Sequence, residues 1–235
     1  MYKDILRDIA TSQMPQVDVT PLPGTARWNV IDPLPPSGNL GIELGVAAGS
    51  FSARMVQSGR FRHFIGVDIY GDGHNVQEYK TALRSVGLLS DYRLLRMTFD
   101  QALDLFDDHS FDFIYCDGYA HTGEEGGRTL IDWYAKLKPG GVMAGDDYDI
   151  DSWPLVVWAV HHLVSQIGVP LRVTDLVSDV AYNKFRSWYF VKPMGPDAVL
   201  QPSKALMDLG DLEKASIAAA RKQKAKARAR RQEKS

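Results

Sequence analysis

The chain has 235 residues, of which 45% are hydrophobic and 24% charged, with one cysteine and a formal net charge of −2. A chain of that length buries roughly 70% of its unfolded surface, which supports a full core and excludes disorder over most of the length. One cysteine excludes a disulfide scaffold and a cysteine-built zinc site; no apolar run approaches the ~20 residues of a membrane span, the charged N-terminus lacks a signal-peptide core, and a cytoplasmic location is expected.

Residues 1–12 read as a short helix, because Ile5, Leu6 and Ile9 share one face. Residues 15–36 hold half of the twelve prolines, which forbids regular helix and predicts an extended arm laid over the domain. From Asn39 onward, short β-type runs alternate with helical patterns. Strands are predicted at 40–44, 63–68, 92–96, 111–116, 141–145, 171–176 and 187–192, with helices at 50–58, 76–86, 98–106, 124–137 and 153–167. The interval from 171 to 192 has no room for a helix of ordinary length. Its two strands are expected to form a hairpin, so that the last runs antiparallel. The fold class is therefore α/β: a doubly wound, seven-stranded, mostly parallel sheet with the last strand antiparallel. Three segments follow: an arm (1–37), a central domain (38–195) and a basic helical tail (196–235).

The small net charge conceals a split. Residues 201–235 carry ten Lys/Arg against four acids, or +6, which leaves 17 bases and 25 acids, or −8, in residues 1–200. Past Ile217 the tail has no apolar residue larger than alanine, so it is predicted to be an exposed helix. It suits contact with nucleic acid or another anionic partner, or serves as a solvated end that docks on the acidic body.

The first predicted strand of the domain runs into Glu43-Leu44-Gly45-Val46-Ala47-Ala48-Gly49-Ser50-Phe51. Glycines let such a turn bring backbone N–H groups close to a ligand, with a helix starting behind it. The spacing differs from G-x-G-x-x-G, which demotes hydride transfer. Asp68 ends the next strand, where its carboxylate suits the two hydroxyls of a ribose; the plainer reading is that it caps a turn.

Together with Thr98-Phe99-Asp100 and Leu137-Lys138-Pro139-Gly140-Gly141, this pattern resembles the class I S-adenosylmethionine-dependent methyltransferases over residues 38–192. The resemblance implies a Rossmann-like methyltransferase fold, with cofactor contacts from Glu43, Gly45, Ala47, Gly49, Ser50, Phe51, Asp68, Ile69, Thr98, Phe99 and Asp117.

Two more strand ends are acidic: Cys116-Asp117-Gly118-Tyr119-Ala120-His121 and Gly145-Asp146-Asp147-Tyr148. If the strands are adjacent and parallel, three carboxylates converge and repel unless a cation intervenes. Oxygen ligands suit Mg²⁺, with Ca²⁺ or Mn²⁺ as substitutes. The alternative is that Asp146 and Asp147 cap the next helix or face the cofactor's sulfonium. The arrangement is similar to the metal-dependent O-methyltransferases of the catechol and macrolide-sugar types, which implies Asp117, Asp146 and Asp147 as metal ligands. It also resembles a bacterial group with Asp-Gly-Asp-His after the fourth strand, although here the histidine sits one position later.

A neutral hydroxyl is a poor nucleophile, so methyl transfer to oxygen needs a base, and His121 is the residue placed for it. His74 sits in the loop after the second strand, within reach of the cofactor. His161 and His162 suit surface or packing roles, and Cys116 reads as core. Tyr70, Tyr119, Tyr148, Trp153 and Trp28 are available as an aromatic platform, or as core. Residues 123–127 form a lid or a flexible turn. The leading expectation is a Mg²⁺-assisted O-methyltransferase acting on a small hydroxylated substrate, a sugar or a phenol. The alternatives are an RNA methyltransferase that uses the tail, or a cofactor-binding protein without catalysis. A homo-oligomer is compatible with each.

Overall fold

Eight strands order the molecule, in a computed structural model that describes residues 2–71, 75–118, 123, 125–178 and 183–232. In chain order they are β1 (Val19–Leu22), β2 (Asn39–Leu44), β3 (Phe61–Val67), β4 (Tyr92–Leu95), β5 (Phe111–Cys116), β6 (Leu137–Gly145), β7 (Leu171–Thr174) and β8 (Trp188–Val191). They lie side by side as β1-β7-β8-β6-β5-β2-β3-β4. Strands β2, β3, β4, β5 and β6 pair in parallel. The strand β8 slots between β6 and β7 and runs antiparallel to both, as the short 171–192 interval requires.

The sheet has one strand more than the sequence predicts. It comes from the arm, where β1 pairs in parallel with β7 through Val19↔Leu171 to Leu22↔Thr174. Proline weighs against a strand because it cannot donate to the ladder. On an edge strand such as β1 that loss is tolerated, and Pro21 sits there.

Helices cover both faces. On one lie α2 (Ser50–Gln57), α3 (Val76–Ala82) with the wider turn Leu83–Gly87 that closes it, and a 3₁₀ turn of the arm, Arg27–Ile31. Their Val30, Ile31, Phe51, Met55 and Val86 form one buried cluster with Phe113 and Tyr115 of β5 and with Val142 and Ala144 of β6. On the other face lie α1 (Tyr2–Gln13), α4 (Phe99–Leu103), α5 (Arg128–Lys136), α6 (Pro154–Ile167) and the start of α7 (Lys204–Gln232). Leu6, Ala102, Trp133, Val160 and Leu206 meet there against Ile42, Leu44 and Cys116.

Element ends follow local chemistry. Asn75 and Thr98 cap α3 and α4, the latter in a reciprocal box with Gln101. Pro154 opens α6, and Gly168 closes it in the left-handed conformation. The predicted helix at 124–137 begins instead at Arg128, because Gly126 and Gly127 hold positive φ ahead of it. Leu137 already belongs to β6, where the Lys138-to-Gly141 turn forms a bulge opposite Phe111 and Phe113. Among the described residues, no helix is long and apolar enough to cross a membrane.

Candidate functional site

Register decides which residues share an edge. Leu44 stands opposite Val67 on one side and Cys116 on the other, and Cys116 stands opposite Gly145. The ladder continues one residue further: the N–H groups of Gly45, Asp68 and Asp117 donate to Val67, Leu95 and Leu44 at 2.9, 3.1 and 2.8 Å. Gly45, Asp68, Asp117 and Asp146 thus follow four strand ends at one edge of the sheet. Connections leave β2 toward β3 on one side and return to β5 on the other. Such a reversal in strand order opens the crevice where α/β sheets bind ligands.

The loop after β2 is built on left-handed residues, Gly45 (φ +98°), Ala47 (φ +47°) and Gly49 (φ +82°). A Cβ on Gly45 would stand 2.5 Å from the Asp117 carbonyl oxygen, so the loop and the end of β5 are in backbone contact. Ala47 departs from glycine at a cost of about 1 kcal/mol. Asp68 and Tyr70 hold it there. One Asp68 oxygen accepts from the N–H groups of Val46 and Ala47, each at 2.9 Å, and the other accepts from Tyr70 N–H at 2.9 Å. The Tyr70 hydroxyl donates to the Ala47 carbonyl, also at 2.9 Å. Backbone groups therefore take three of the roughly four acceptor positions of the Asp68 carboxylate. Turn bracing, the plainer reading of Asp68, is present in this geometry.

The other expected cofactor residues divide. Ile69 is 49% exposed at the edge, beside Asp68. Ser50 is exposed at the start of α2, and Thr98 and Phe99 are half-buried at the start of α4. Glu43 and Phe51 turn inward instead. Glu43 is 1% exposed and accepts the Ser52 hydroxyl of α2, beneath the loop rather than on its open side. Burial pushes its carboxyl up to about 8. The Phe51 ring stacks on Tyr115 with centroids 3.9 Å apart.

The acidic edge differs most from expectation. Alternation along β5 and β6 puts Asp117 and Asp146 on the face of Phe113, Tyr115, Val142 and Ala144. The same face receives the arm's 3₁₀ turn, and Arg27, its first residue, is 5% exposed there. Its guanidinium lies 2.5 Å from an Asp117 oxygen and 3.4 Å from an Asp146 oxygen. The stacked rings of Phe51 and Tyr115 lie beside it at 4.9 and 5.1 Å. Burial, and then the Asp117 charge, push the Asp146 carboxyl well above the usual range. Asp147 leaves the strand with φ +54°. Among the described residues, no three His, Cys, Asp or Glu side chains gather in a group able to hold a metal ion. The expected divalent metal finds no support here: the positive charge beside Asp117 and Asp146 is a guanidinium. Two of the three proposed ligands hold a guanidinium, so this donor set does not fit Mg²⁺.

His121, His74 and Tyr119 lie outside the described residues. Tyr70 and Tyr148 are buried, and Trp28 packs under Arg54, whose guanidinium is 4.1 Å from its ring. Trp153, 38% exposed, meets Phe185 edge-on at 6.1 Å. Gly123 and Gly126, in the expected lid, sit against Leu206 and Ser203. His161 is buried and latches the arm: its Nδ1 donates to the Pro15 carbonyl at 2.9 Å, which leaves Nε2 to accept the Tyr148 hydroxyl at 2.8 Å. Burial holds its pKa down, as a neutral latch requires. Cys116 is core as expected, and burial pushes its thiol up. Sequence reasoning missed Arg27, which no local pattern distinguishes.

The sequence model of a family described as a methyltransferase domain matches residues 40–148. Over residues 40–148 the chain is similar to that family. The matched segment runs from β2 to just past β6, and Arg27 reaches its edge from outside. Among solved structures, the chain is similar to an S-adenosylmethionine-dependent methyltransferase from Mesorhizobium loti, at 24% identity over 52% of this chain and 54% of that one, with a TM-score of 0.40. It is also similar to spermidine synthase from Thermotoga maritima, at 13% identity over 79% and 68% with a TM-score of 0.55. CurJ carbon methyltransferase gives 15% identity over 69% and 51%, with a TM-score of 0.50. The match spans about half the length of the Mesorhizobium protein, and all three likenesses, each under 25% identity, go no further than fold. No curated protein sequence matches the chain significantly.

Proposed function

We propose that the protein transfers the methyl group of S-adenosylmethionine to a hydroxyl of a small molecule, a sugar or a phenol. The observation that carries this reading is the junction of the glycine loop after β2 with Asp68, at the strand-order reversal inside the segment that matches a methyltransferase domain. In this reading the loop at 45–49 receives the methionyl end, and Asp68 offers its remaining acceptor position to the ribose. Ile69, Thr98 and Phe99 flank the adenine, and Asp117 lies by the α-ammonium.

Transfer is an in-line displacement. The acceptor oxygen bonds to the methyl carbon as the carbon–sulfur bond breaks, the sulfonium becomes a thioether, and the hydroxyl proton passes to a base. We assign that base to His121 from its position after β5, and the exposed Trp153 ring offers the acceptor an apolar surface. Magnesium has no part in this reading, because Asp117 and Asp146 already hold Arg27.

Calorimetric titration with S-adenosylmethionine tests the cofactor half. Asp68→Ala is expected to weaken binding at least about tenfold, or about 1.4 kcal/mol. Incubation with methyl-tritiated cofactor and a panel of sugars and phenols tests the acceptor half: a labelled methyl ether is expected, and His121→Ala should slow its formation about 100-fold. Binding without transfer to any hydroxyl would point to a cofactor-binding protein, and no binding at all would overturn both halves.

A further inference from the structure

We propose that Arg27 takes the place of a divalent cation at the acidic edge, so that the proline-rich arm completes the site of the matched segment. Two carboxylates at the ends of neighbouring strands need a positive charge between them. Here that charge belongs to a side chain 90 residues before Asp117, and it is held from three directions.

The first is the turn that carries it. Val30 and Ile31, in the same 3₁₀ turn, are buried with Phe51, Met55 and Phe61, so the backbone at Arg27 is set by core packing. The second is the loop just before the turn. Gly24 and Thr25 N–H groups donate to the Asp175 carboxylate at 3.1 and 3.2 Å, and the Asn29 side chain accepts from Ala26 N–H at 2.9 Å. With β1 paired to β7, the arm is fixed at both sides of Arg27. The third is the set of groups that the guanidinium itself meets. The stacked rings of Phe51 and Tyr115 lie together on one side of it, while it donates to Asp117 and meets Asp146. A planar fork suits two carboxylates and an adjoining aromatic stack; a metal ion would require oxygen ligands where the rings stand.

An ion could enter only if Arg27 left, and leaving would strip a buried guanidinium of both carboxylates. Arg27 is therefore a positioning residue. It sets the orientation of Asp117 and Asp146, and through the backbone contact of Asp117 with Gly45 it couples the arm to the glycine loop. The charge assignment stands independently of the methyl-transfer reading; the consequence for cofactor affinity rests on that reading.

The experiment measures free Mn²⁺ by electron paramagnetic resonance in the presence of the full-length protein, with circular dichroism as the check on folding. Wild type is expected to leave Mn²⁺ free. Arg27→Gln, which unmasks the carboxylates, is expected to gain a Mn²⁺ site that Arg27→Gln combined with Asp146→Asn lacks. A merely structural arginine would not produce that gain. Arg27→Lys retains a charge and is expected to stay free of Mn²⁺, which keeps the test usable if the glutamine variant fails to fold. Stoichiometric Mn²⁺ binding by wild type that Asp146→Asn abolishes would overturn the proposal, as would a folded Arg27→Gln that gains no site. In parallel, wild-type affinity for S-adenosylmethionine is expected to be unchanged by EDTA, weaker in Arg27→Gln and partly restored in Arg27→Lys. Failure of the cofactor to bind wild type would defeat the methyl-transfer reading and leave the Mn²⁺ result to judge Arg27 separately.

Discussion

Glu43 belongs to the loop motif in sequence, yet its side chain works below the loop. It accepts the Ser52 hydroxyl, which also lies 2.8 Å from the Tyr92 hydroxyl, so strand β2, helix α2 and strand β4 meet at the Ser52 hydroxyl. Burial raises that carboxyl from 4.5 to about 8, so the folded protein keeps a proton that the unfolded chain releases near 4.5. Folding takes up that proton in between, and the stability it contributes is full below pH 4.5 and lost as pH rises toward 8. The expected slope is at most about 1.4 kcal/mol per pH unit. Urea melts of wild type and Glu43→Gln between pH 5 and 9 should differ by this slope, with the glutamine variant flatter; parallel profiles would show that Glu43 is not the titrating group. The glutamate is legible in the sequence as part of a motif, but its inward direction depends on Ser52 and Tyr92, which the motif does not contain.

At the scale of elements, the loop between β2 and α2 is the part most completely foretold. Tight turns are made by residues adjacent in sequence, and Gly45 and Gly49 adopt the positive φ their identity suggests. Gly45→Ala would place a Cβ 2.5 Å from the Asp117 carbonyl at φ +98°. The expected loss is about 2 kcal/mol of stability, together with most of the cofactor affinity, read by thermal melting and calorimetry. A variant that melts and binds like wild type would remove the loop from the site. The arm was harder to read. Its prolines forbid helix, and from that an extended segment follows, but an edge strand and an arginine-bearing turn are both compatible with the same residues. Pairing with β7 and burial against α2 select between them, and those partners lie far along the chain.

On the scale of the whole molecule, the acidic body and basic tail meet through apolar contacts at the start of α7. Leu206 and Leu209 are buried against the α5 and α6 side of the sheet, and the Ser203 N–H donates to the Gly126 carbonyl at 2.8 Å. The basic residues past 217 continue that helix. Removing residues 218–235 is expected to leave thermal stability and cofactor binding near wild type. Removing residues 204–235 should expose the Leu206 seat and cost about 2–3 kcal/mol. Equal melting temperatures for the two truncations would mean that the tail is not anchored by these leucines.

By itself, the sequence determined the alternation of strands and helices, the antiparallel entry of the last strand, the glycine loop, and the need for a positive charge among the strand-end carboxylates. Those follow from periodicity, turn chemistry and Coulomb repulsion, which act over neighbouring residues or through charge count. Only the tertiary structure decided that the sheet has eight strands, that Glu43 and Phe51 face inward, and that the charge is Arg27. Each of those depends on which distant segments share a face of the sheet, and such contacts leave no periodic trace in the segments that make them.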